Sequence, residues 1–394
     1  MSVTPIAASS LNAERVSERV LAHLERGLAL PGDLYTDPAL FAEEMRAVFQ
    51  RQWVYAGHVS QLANAGDFLT VDVGGQSVIV SRDRAGELHG LVNVCRHRGT
   101  LIVDTPCGNV RNFVCPYHQW AYAPDGTLRG APRMPAGFDR EQYPLKRVHT
   151  GVWNGLVFVN HSPGEVDDLG ALLEAPDELM APFDIASARV AHTEVYEVAA
   201  NWKLVWENSQ ECYHCNANHP EFIKTFDMKA FVADDDSFSL TFSGDRRMQC
   251  ATFPLRSGAV SLTMTGQPAS RQLLGRFGSG LAPYTAAAHL KPGFASVFSP
   301  DYGIVFMDVP KSFDRTEVRV QWLVAPGAEA GVDYDVENLK RVWDQTNRQD
   351  WALCQSVQRG VASPDFEPGP LSLDEQSVAG FYHSYATMMA AAGL

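Results

Sequence analysis

The chain has 394 residues, of which 45% are hydrophobic and 20% are charged, so it has the composition of a globular protein long enough for two domains. Its formal net charge of −14 gives no reason to expect binding to nucleic acid or to an anionic membrane, since both require clustered Lys and Arg. The sequence does not open on a basic segment followed by an apolar run, and no apolar run reaches about 18 residues. We therefore expect neither a secretory signal nor a transmembrane helix, and a cytoplasmic location.

Cysteine usage agrees with that location. The sequence has seven cysteines, an odd number. In a long chain without a signal they fit metal ligands or buried thiols better than a disulfide framework. Cys107 lies outside the paired motifs described below, so it is predicted to be a small buried residue.

The predicted elements begin with helices. Apolar residues at helical spacing between residues 11 and 50 predict helices with a Pro/Gly break, and the segment 1–52 is expected to pack on the catalytic part of the chain. The pattern then alternates, and Gly74-Gly75 between two alternating runs predicts a β-hairpin. We therefore predict a small antiparallel β domain over residues 53–162.

The remaining residues, 163–394, mix strand-like and helical segments after a boundary at Pro163-Gly164. A long amphipathic helix is predicted from Val336 to Gly360. The predicted fold class is therefore α+β, with a central antiparallel sheet and flanking helices in this larger domain. Its predicted strands are Val190–Val198, Ser237–Phe242, Ile304–Val309 and Glu317–Val324.

Two short motifs in the predicted β domain each combine a cysteine with a histidine. Cys95 and His97 form the first, and Cys115 and His118 form the second. Two cysteines and two histidines could hold one tetrahedral zinc ion. They could also hold a Rieske-type [2Fe–2S] cluster, in which two thiolates bind one iron and two imidazoles bind the other. The hairpin context and three residues suited to tight loops favour the cluster: Gly99, Gly108 and Pro116.

A second group of candidate ligands lies in the larger domain. Glu211 and His214 are three residues apart, which would put them on one face of a helix. His219 is five residues beyond His214, so both imidazoles can meet one metal only if the helix loosens or ends between them. Pro220 supplies the reason, because proline disfavours the α region for the residue before it.

A site for Fe(II) with two histidines also needs a carboxylate ligand. Asp350 lies on the apolar stripe of the predicted long helix, and a buried charge must be paired or must hold a metal. Asp344 lies off that stripe and should be solvated, and Arg348 points elsewhere by helical rotation, so an ion pair with Asp350 is not expected. We therefore predict an iron site made by His214, His219 and Asp350.

Zinc remains an alternative at this second site. Cys212 and Cys215 form a C-x-x-C pattern, which leaves a redox or zinc interpretation open although no second pair lies nearby. A zinc-binding structural or interaction module would be a colourless protein without iron. The position of Asp350 on a buried stripe argues against such a module.

Taken together, these motifs resemble the α subunits of Rieske oxygenases over nearly the whole chain. Within that family the resemblance is to the quaternary-amine group, which comprises glycine betaine and stachydrine demethylases and, as cousins, choline and carnitine monooxygenases. The stretches that carry it are CRHRGT from Cys95, CPYHQW from Cys115, Trp202 to Pro220, LTMTGQPASRQLLG from Leu262, and SPDFEPGP from Ser363.

The resemblance also implies roles for residues around the iron. Glu211 would bridge His118 of one subunit to His214 of its neighbour. Such a route requires a ring of subunits, and the family suggests a homotrimer. Asn208 is taken as a further candidate catalytic residue.

An external electron source is expected as well. O2 activation needs two electrons beyond those that the substrate gives, and the cluster would deliver them one at a time. Gly278-Ser279-Gly280 lacks the third glycine of a dinucleotide fingerprint, so a separate NAD(P)H-dependent reductase is implied. Arg96 and Arg98 flank a cluster ligand and could meet an acidic electron donor.

For the substrate we expect a methylated ammonium compound. Hydroxylation of an N-methyl group would give a carbinolamine that loses formaldehyde. Such a cation cannot donate hydrogen bonds, so an aromatic cage should hold it. Hydroxylation of an aromatic ring is the alternative, and it would need an apolar pocket without cation preference. Candidate walls of the cage are Phe222, Phe298, Tyr302, Phe306, Phe381 and Tyr382.

Overall fold

The computed structural model describes residues 15–228, 240–277 and 284–394. Three antiparallel sheets with flanking helices make the fold α+β, which confirms the predicted class. The Gly278-Ser279-Gly280 stretch lies outside the described residues. In the part of the chain that is described, no helix is long and apolar enough to cross a membrane.

The N-terminal segment forms short helices that are anchored in the core by a buried charge pair. The Glu44 carboxylate accepts hydrogen bonds from Lys203 Nζ at 2.5 Å, Trp202 Nε1 at 2.9 Å and the Tyr385 hydroxyl at 2.5 Å. Removing one partner would leave a buried charge uncompensated, so this pair fixes the segment to the helix that carries Lys203, and the Tyr385 hydrogen bond joins it to the C-terminal helix. The elements are α1 (Val16–Glu25), α2 (Asp33–Thr36), α3 (Pro38–Glu44) and a π-helical turn (Met45–Phe49).

Ten short strands follow, and they form a seven-stranded sheet of order β1-β10-β9-β4-β3-β2-β5 and a three-stranded sheet of order β6-β7-β8. Gly74 and Gly75 have φ angles of 56° and 80° and make the predicted tight turn of a hairpin, since such a turn requires positive φ at both positions. The strands are β1 (Val54–His58), β2 (Asp67–Val73), β3 (Gln76–Arg82), β4 (Leu88–Val92), β5 (Cys107–Asn109), β6 (Phe113–Val114), β7 (Ala121–Tyr122), β8 (Leu128–Gly130), β9 (Arg147–Trp153) and β10 (Leu156–Asn160).

The larger part of the chain folds around a seven-stranded antiparallel sheet of order β11-β17-β16-β15-β14-β13-β12. All four predicted strands occur in it, although residues 237–239 of the second lie outside the described residues. Its elements are α4 (Leu169–Leu172), α5 (Glu174–Met180), β11 (Arg189–Val198), α6 (Trp202–Ser209), α7 (Cys215–Asn218), β12 (Leu240–Phe242), β13 (Met248–Phe253), β14 (Thr285–Leu290), β15 (Phe294–Ser299), β16 (Tyr302–Ser312), β17 (Arg315–Val324), α8 (Val336–Val361) and α9 (Gln376–Ala391).

Single-turn 3-10 helices connect several of these elements, at Val59–Leu62, Arg140–Gln142, Ala181–Phe183, Ile185–Ser187, Phe222–Lys224 and Leu373–Glu375. The long helix α8 ends one residue beyond its predicted end. Its first turn is capped by the Asp335 carboxylate, which accepts from the Asn338 backbone N–H at 2.8 Å. The boundaries of the domains, predicted at residues 52 and 162, stay a prediction.

Candidate functional site

The two cysteine–histidine motifs form loops with the same backbone hydrogen bonds. Cys95 N–H donates to the Thr100 carbonyl and its carbonyl accepts from Gly99, just as Cys115 N–H donates to Trp120 and its carbonyl accepts from Gln119. The fourth residue after each cysteine is left-handed, with φ of 78° at Gly99 and 59° at Gln119. The two loops therefore have the same backbone geometry around their candidate ligands.

Within this pair of loops the thiols and the imidazoles occupy different depths. Cys95 and Cys115 are 3% and 2% exposed in a small core of their own, whereas His97 is exposed and His118 is half-buried. The two imidazole rings lie 4.6 Å apart. Burial raises the pKa of the Cys95 thiol, and the adjacent Cys115 thiol raises it further, so ionisation of both needs a shared cation. An inner thiol pair beside an outer imidazole pair fits a two-iron Rieske cluster.

Aromatic side chains support these ligands. The Trp120 ring stacks on His97 at a centroid distance of 4.9 Å and an angle of 9°. The Tyr122 hydroxyl accepts from the Arg96 backbone N–H at 3.1 Å and lies 3.5 Å from Cys95 Sγ. Hydrogen bonds to cluster sulfurs are one of the means by which a protein sets the reduction potential.

Two side chains near the loops are exposed, and one of them was predicted to be buried. Cys107 is exposed, not buried, because it begins the short edge strand β5, in which all three residues are exposed. Arg98 lies 5.1 Å from the centre of the Tyr117 ring and donates to its hydroxyl at 3.2 Å. The outer rim of the loops therefore carries an exposed cationic and aromatic surface.

The second group of predicted ligands meets where helix α6 breaks. The helix ends at Ser209, and the one-turn helix α7 follows His214. His219 has φ −121° and ψ 64°, outside the α region, as the proline after it predicts. This break brings His214 Nε2 to 3.1 Å from His219 Nε2.

The third predicted ligand comes from helix α8. Asp350 Oδ1 lies 3.1 Å from His214 Nε2 and 2.9 Å from His219 Nε2. Donors at right angles around a metal, with bonds of about 2.1 Å, lie about 3 Å apart, so these separations fit three adjacent positions on one face of an octahedron. The donor set therefore fits a facial triad for Fe(II).

The electrostatics of the triad favour a cation at its centre. Burial lowers the pKa of His214, but hydrogen bonds to Asp350 and Glu211 outweigh burial and raise it to about 9. Burial would raise the pKa of Asp350, yet the two imidazoles hold it below its ordinary value. Protons and a metal ion therefore compete for the same donor atoms.

The C-x-x-C pair is a disulfide in this structure, which corrects the expectation of ligand or buried thiols. Cys212 Sγ is bonded to Cys215 Sγ, and the bridge spans Tyr213 and His214. Cys215 Sγ lies within 4.8 Å of the two imidazole nitrogens, but a disulfide sulfur is not a thiolate ligand. Asp350 is therefore the better third ligand. The odd number of cysteines argued against a disulfide framework, although the C-x-x-C pattern left a redox interpretation of this pair open.

The far nitrogens of both imidazoles are held by side chains. His214 Nδ1 lies 2.6 Å from Glu211 Oε1, and His219 Nδ1 lies 2.8 Å from Gln349 Oε1. Each Nδ1–H therefore donates outward, and each Nε2 lone pair faces the centre of the triad. The role of Gln349 as a partner of His219 was not predicted, although this residue directly precedes the predicted ligand Asp350. Asn208 Nδ2 lies 3.5 Å from His214 Nε2.

Helix α8 agrees with the expectation for Arg348 and departs in part from the expectation for Asp344. Arg348 does not pair with Asp350, because its guanidinium contacts Asp344 Oδ2 at 3.0 Å. Asp344 is half-buried instead of fully solvated, and it accepts from the Tyr196 hydroxyl at 2.7 Å.

A cavity of about 160 Å³ adjoins the triad. Its floor is one face of the large sheet, where Ala251, Ala287 and Ala295 leave room that larger side chains would fill. A cavity of about 150 Å³ in another protein accepts benzene, so this one suits a small substrate. The predicted catalytic residues Asn208 and Glu211 both line it.

The aromatic walls of this cavity agree only in part with the predicted cage. Phe222 and Phe306 line it, together with three aromatic residues that sequence reasoning missed: Phe253, Trp343 and Trp351. The Trp343 ring lies 5.6 Å from Phe222 and 5.9 Å from Phe306. The other four predicted walls are buried elsewhere in the core and do not line the cavity: Phe298, Tyr302, Phe381 and Tyr382.

Comparisons with known proteins agree with this geometry. Residues 185–391 match the ring hydroxylating alpha subunit (catalytic domain), and residues 52–149 match the Rieske [2Fe-2S] domain. The chain is 36% identical over 401 residues to the glycine betaine monooxygenase oxygenase subunit of Pseudomonas aeruginosa UCBPP-PA14, covering 96% of this chain and 92% of that protein. It is 35% identical over 215 residues to the carnitine monooxygenase oxygenase subunit of Escherichia coli K12, covering 52% and 56%.

Solved structures share the fold at lower identity. A quaternary ammonium Rieske monooxygenase bound to an inhibitor superposes with a TM-score of 0.79 at 22% identity, covering 96% of this chain and 99% of that one. Naphthalene 1,2-dioxygenase from Rhodococcus sp. gives 0.76 at 19% identity, covering 95% and 98%. The chain therefore belongs to the family of Rieske non-haem iron oxygenase α subunits, which carry a [2Fe–2S] cluster and a mononuclear iron.

Proposed function

We propose that this oxygenase hydroxylates an N-methyl group of a betaine-type quaternary-ammonium substrate and releases formaldehyde from the resulting carbinolamine. The observation that carries the proposal is a small cavity, walled by aromatic rings and floored by alanines, that adjoins a facial triad. The similarity to glycine betaine and carnitine monooxygenase oxygenase subunits supports the same substrate class.

The proposed assignment of ligands follows from the geometry of the donors. His214, His219 and Asp350 would hold Fe(II), which supplies the site at which O2 is activated. The [2Fe–2S] cluster would be held by Cys95, Cys115, His97 and His118.

The chain's own residues would bind and orient the cation. A quaternary ammonium group has no N–H donor, so it gains affinity from the faces of aromatic rings and from the exclusion of water. Phe222, Trp343 and Phe306 form a continuous aromatic surface on one side of the cavity. Ala287 and Ala295 lie below it and leave space for methyl groups.

Glu211 is proposed to carry the electronic coupling between the two centres. Its Oε1 already lies 2.6 Å from His214 Nδ1, on the side of the imidazole away from the triad. In a homotrimer, which we also propose, its second oxygen would accept from His118 of the partner subunit. A separate NAD(P)H-dependent reductase would supply the electrons, and the exposed rim with Arg98 is a candidate place for it to dock.

Reconstitution of the iron-loaded chain with a Rieske reductase and NADH tests this function. Formaldehyde release and O2 uptake would be followed together across glycine betaine, stachydrine, L-carnitine, choline and several aromatic acids. We expect the two rates to match with one quaternary amine. Tight coupling with an aromatic acid alone, without formaldehyde, would establish ring hydroxylation instead.

Two variants of helix α8, one a test and the other its control, examine the metal assignment. Asp350→Asn should lose iron and activity while the visible spectrum of the cluster persists. Asp344→Asn makes the same chemical change on the same helix, outside the triad, and should retain both. Iron retention by Asp350→Asn would contradict the assignment of this carboxylate as a ligand.

A further inference from the structure

Besides Asp350 and Glu211, a third carboxylate lines the cavity, and it has no role in the triad. Asp308 lies on strand β16 two residues after Phe306, and both side chains line the cavity because alternate residues of a strand point to one face. Asp308 is 7% exposed. It therefore adjoins the aromatic wall at a distance of about two strand residues, or roughly 7 Å.

The Asp308 carboxylate has no protein partner within the described part of the chain. Its backbone N–H donates to the Gly293 carbonyl at 3.1 Å, but no hydrogen bond or ion pair reaches its side chain. Burial alone raises the pKa of Asp308 to about 7. Buried acids that serve the fold are normally paired, as Glu44 is here.

The titratable groups around Asp308 do not neutralise it. The His289 Nδ1 atom lies 3.1 Å from Gln249 Nε2, and burial lowers the pKa of this histidine to about 3, so it is uncharged. Lys291 donates to the Arg246 carbonyl at 2.7 Å, and its pKa is lowered to about 7 by burial and by Arg246.

The helices that pack over the sheet offer Asp308 no ion-pair partner among the described residues, and Lys203 of helix α6 is paired with Glu44. On helix α8 the Cys354 thiol is kept neutral, since burial raises its pKa well above the ordinary value. On helix α6 burial raises the pKa of Glu207 to about 8. No described side chain pairs with Asp308, and a cation that enters the cavity would compensate its ionised form.

We propose that Asp308 is the counter-ion for the ammonium group of the substrate and so determines that this cavity accepts cations. This inference rests on the proposed function and deepens it. The cation–π attraction of the aromatic walls gives a trimethylammonium group a modest advantage over an uncharged tert-butyl group of the same shape. A buried carboxylate enlarges that advantage, because the charge interaction is strong where water is excluded.

The test compares binding of a cation with binding of its uncharged isostere. Choline is a cation and 3,3-dimethyl-1-butanol is its uncharged isostere, in which carbon replaces the nitrogen that carries the three methyl groups. Binding to the anaerobic, cluster- and iron-loaded full chain would be measured by calorimetry, without reductase. Glycine betaine and 3,3-dimethylbutanoate form a second pair, in which both members carry a carboxylate and only the first carries the ammonium charge.

Asp308→Asn keeps the shape of the side chain and removes its charge. We expect binding of the preferred cation to weaken by at least about tenfold and binding of its isostere to change by less than about twofold. Asp314→Asn, which makes the same change at an exposed turn after β16, should affect neither. Equal weakening of both ligands by Asp308→Asn would overturn the inference, since it would indicate a role in cavity shape.

Failure of the proposed function gives a different result. If the native chain prefers no cation over its isostere, the substrate class itself is wrong. If the native chain prefers cations and Asp308→Asn keeps that preference, only the role of Asp308 is wrong.

A measurement on the native chain does not depend on the folding of a variant. Near pH 7 a cation that binds beside Asp308 should favour its ionised form and release a fraction of a proton, whereas the isostere should release none. Calorimetry in two buffers of different ionisation enthalpy measures this release. Zero release with a cation that binds tightly would contradict the proposal.

Discussion

Gln349 provides the sharpest test of how the triad is held. Its Oε1 lies 2.8 Å from His219 Nδ1, and His219 is 1% exposed, so no water can replace this acceptor without rearrangement. Gln349→Leu should leave the Nδ1–H of His219 buried and unpaired. An unpaired buried polar group costs about 1–3 kcal/mol, and about 1.4 kcal/mol is a factor of ten. We therefore expect Fe(II) affinity to fall roughly 5- to 150-fold.

The assay is an anaerobic Fe(II) titration against a chelator of known affinity, with the visible spectrum of the cluster as an internal check on the fold. Gln355→Leu is the matched control, because Gln355 lies on the same helix and accepts from the Ala199 N–H at 3.3 Å, far from the imidazoles in the hydrogen-bond network. Gln349→Glu should act in the opposite direction, since a carboxylate makes the imidazole a stronger ligand. Equal iron affinity in Gln349→Leu and the native chain would refute the reasoning.

Three further outcomes are expected. Glu211→Gln should slow single-turnover product formation by at least about tenfold while the cluster is still reduced and iron still binds, and an unchanged rate would rule out a role in electron transfer. Ala287→Leu should fill the cavity floor and weaken substrate binding by at least about tenfold without loss of iron, which equilibrium binding measures. Glu207 has a folded-state pKa of about 8 because of burial, so the stability that it contributes is present below its ordinary pKa of 4.5 and is lost as pH rises through 8. Glu207→Gln should therefore lie within about 1 kcal/mol of the native chain at pH ~5 and exceed its unfolding free energy by up to about 5 kcal/mol at pH ~9, as denaturant titrations at both values would show.

The candidate ligands could be selected from the sequence because the features that indicate them are local, and their assignment as ligands stays a proposal. Each cysteine–histidine loop is closed by hydrogen bonds within six residues, and the break before His219 follows from the proline at the next position. Asp350 was predictable from helical periodicity alone, because it interrupts an otherwise apolar stripe. Such features need no knowledge of the rest of the fold.

The cavity could not be predicted in the same way. Phe306 and Phe298 are phenylalanines in apolar segments of adjacent strands, so the sequence does not distinguish them, yet only Phe306 lines the cavity. Which face a strand residue occupies depends on the register of the whole sheet. Periodicity predicts that Trp343 lies on the buried stripe of a helix. It does not predict that part of this stripe lines a cavity instead of packing in the core.

The register of the sheet connects the two halves of the site. Gln249 pairs with His289, His289 with Ala295, and Ala295 with Phe306, so one row across four strands places an amide, a neutral imidazole, a small side chain and an aromatic wall below the triad. A shift of β16 by one residue would turn Phe306 away and present Met307 instead. Asp308 would turn away with it, since it shares the face of Phe306. The aromatic wall and the unpaired carboxylate are therefore set by the same strand pairing. Asp308→Asn leaves that pairing in place, so a change in cation preference in this variant is attributable to the lost charge.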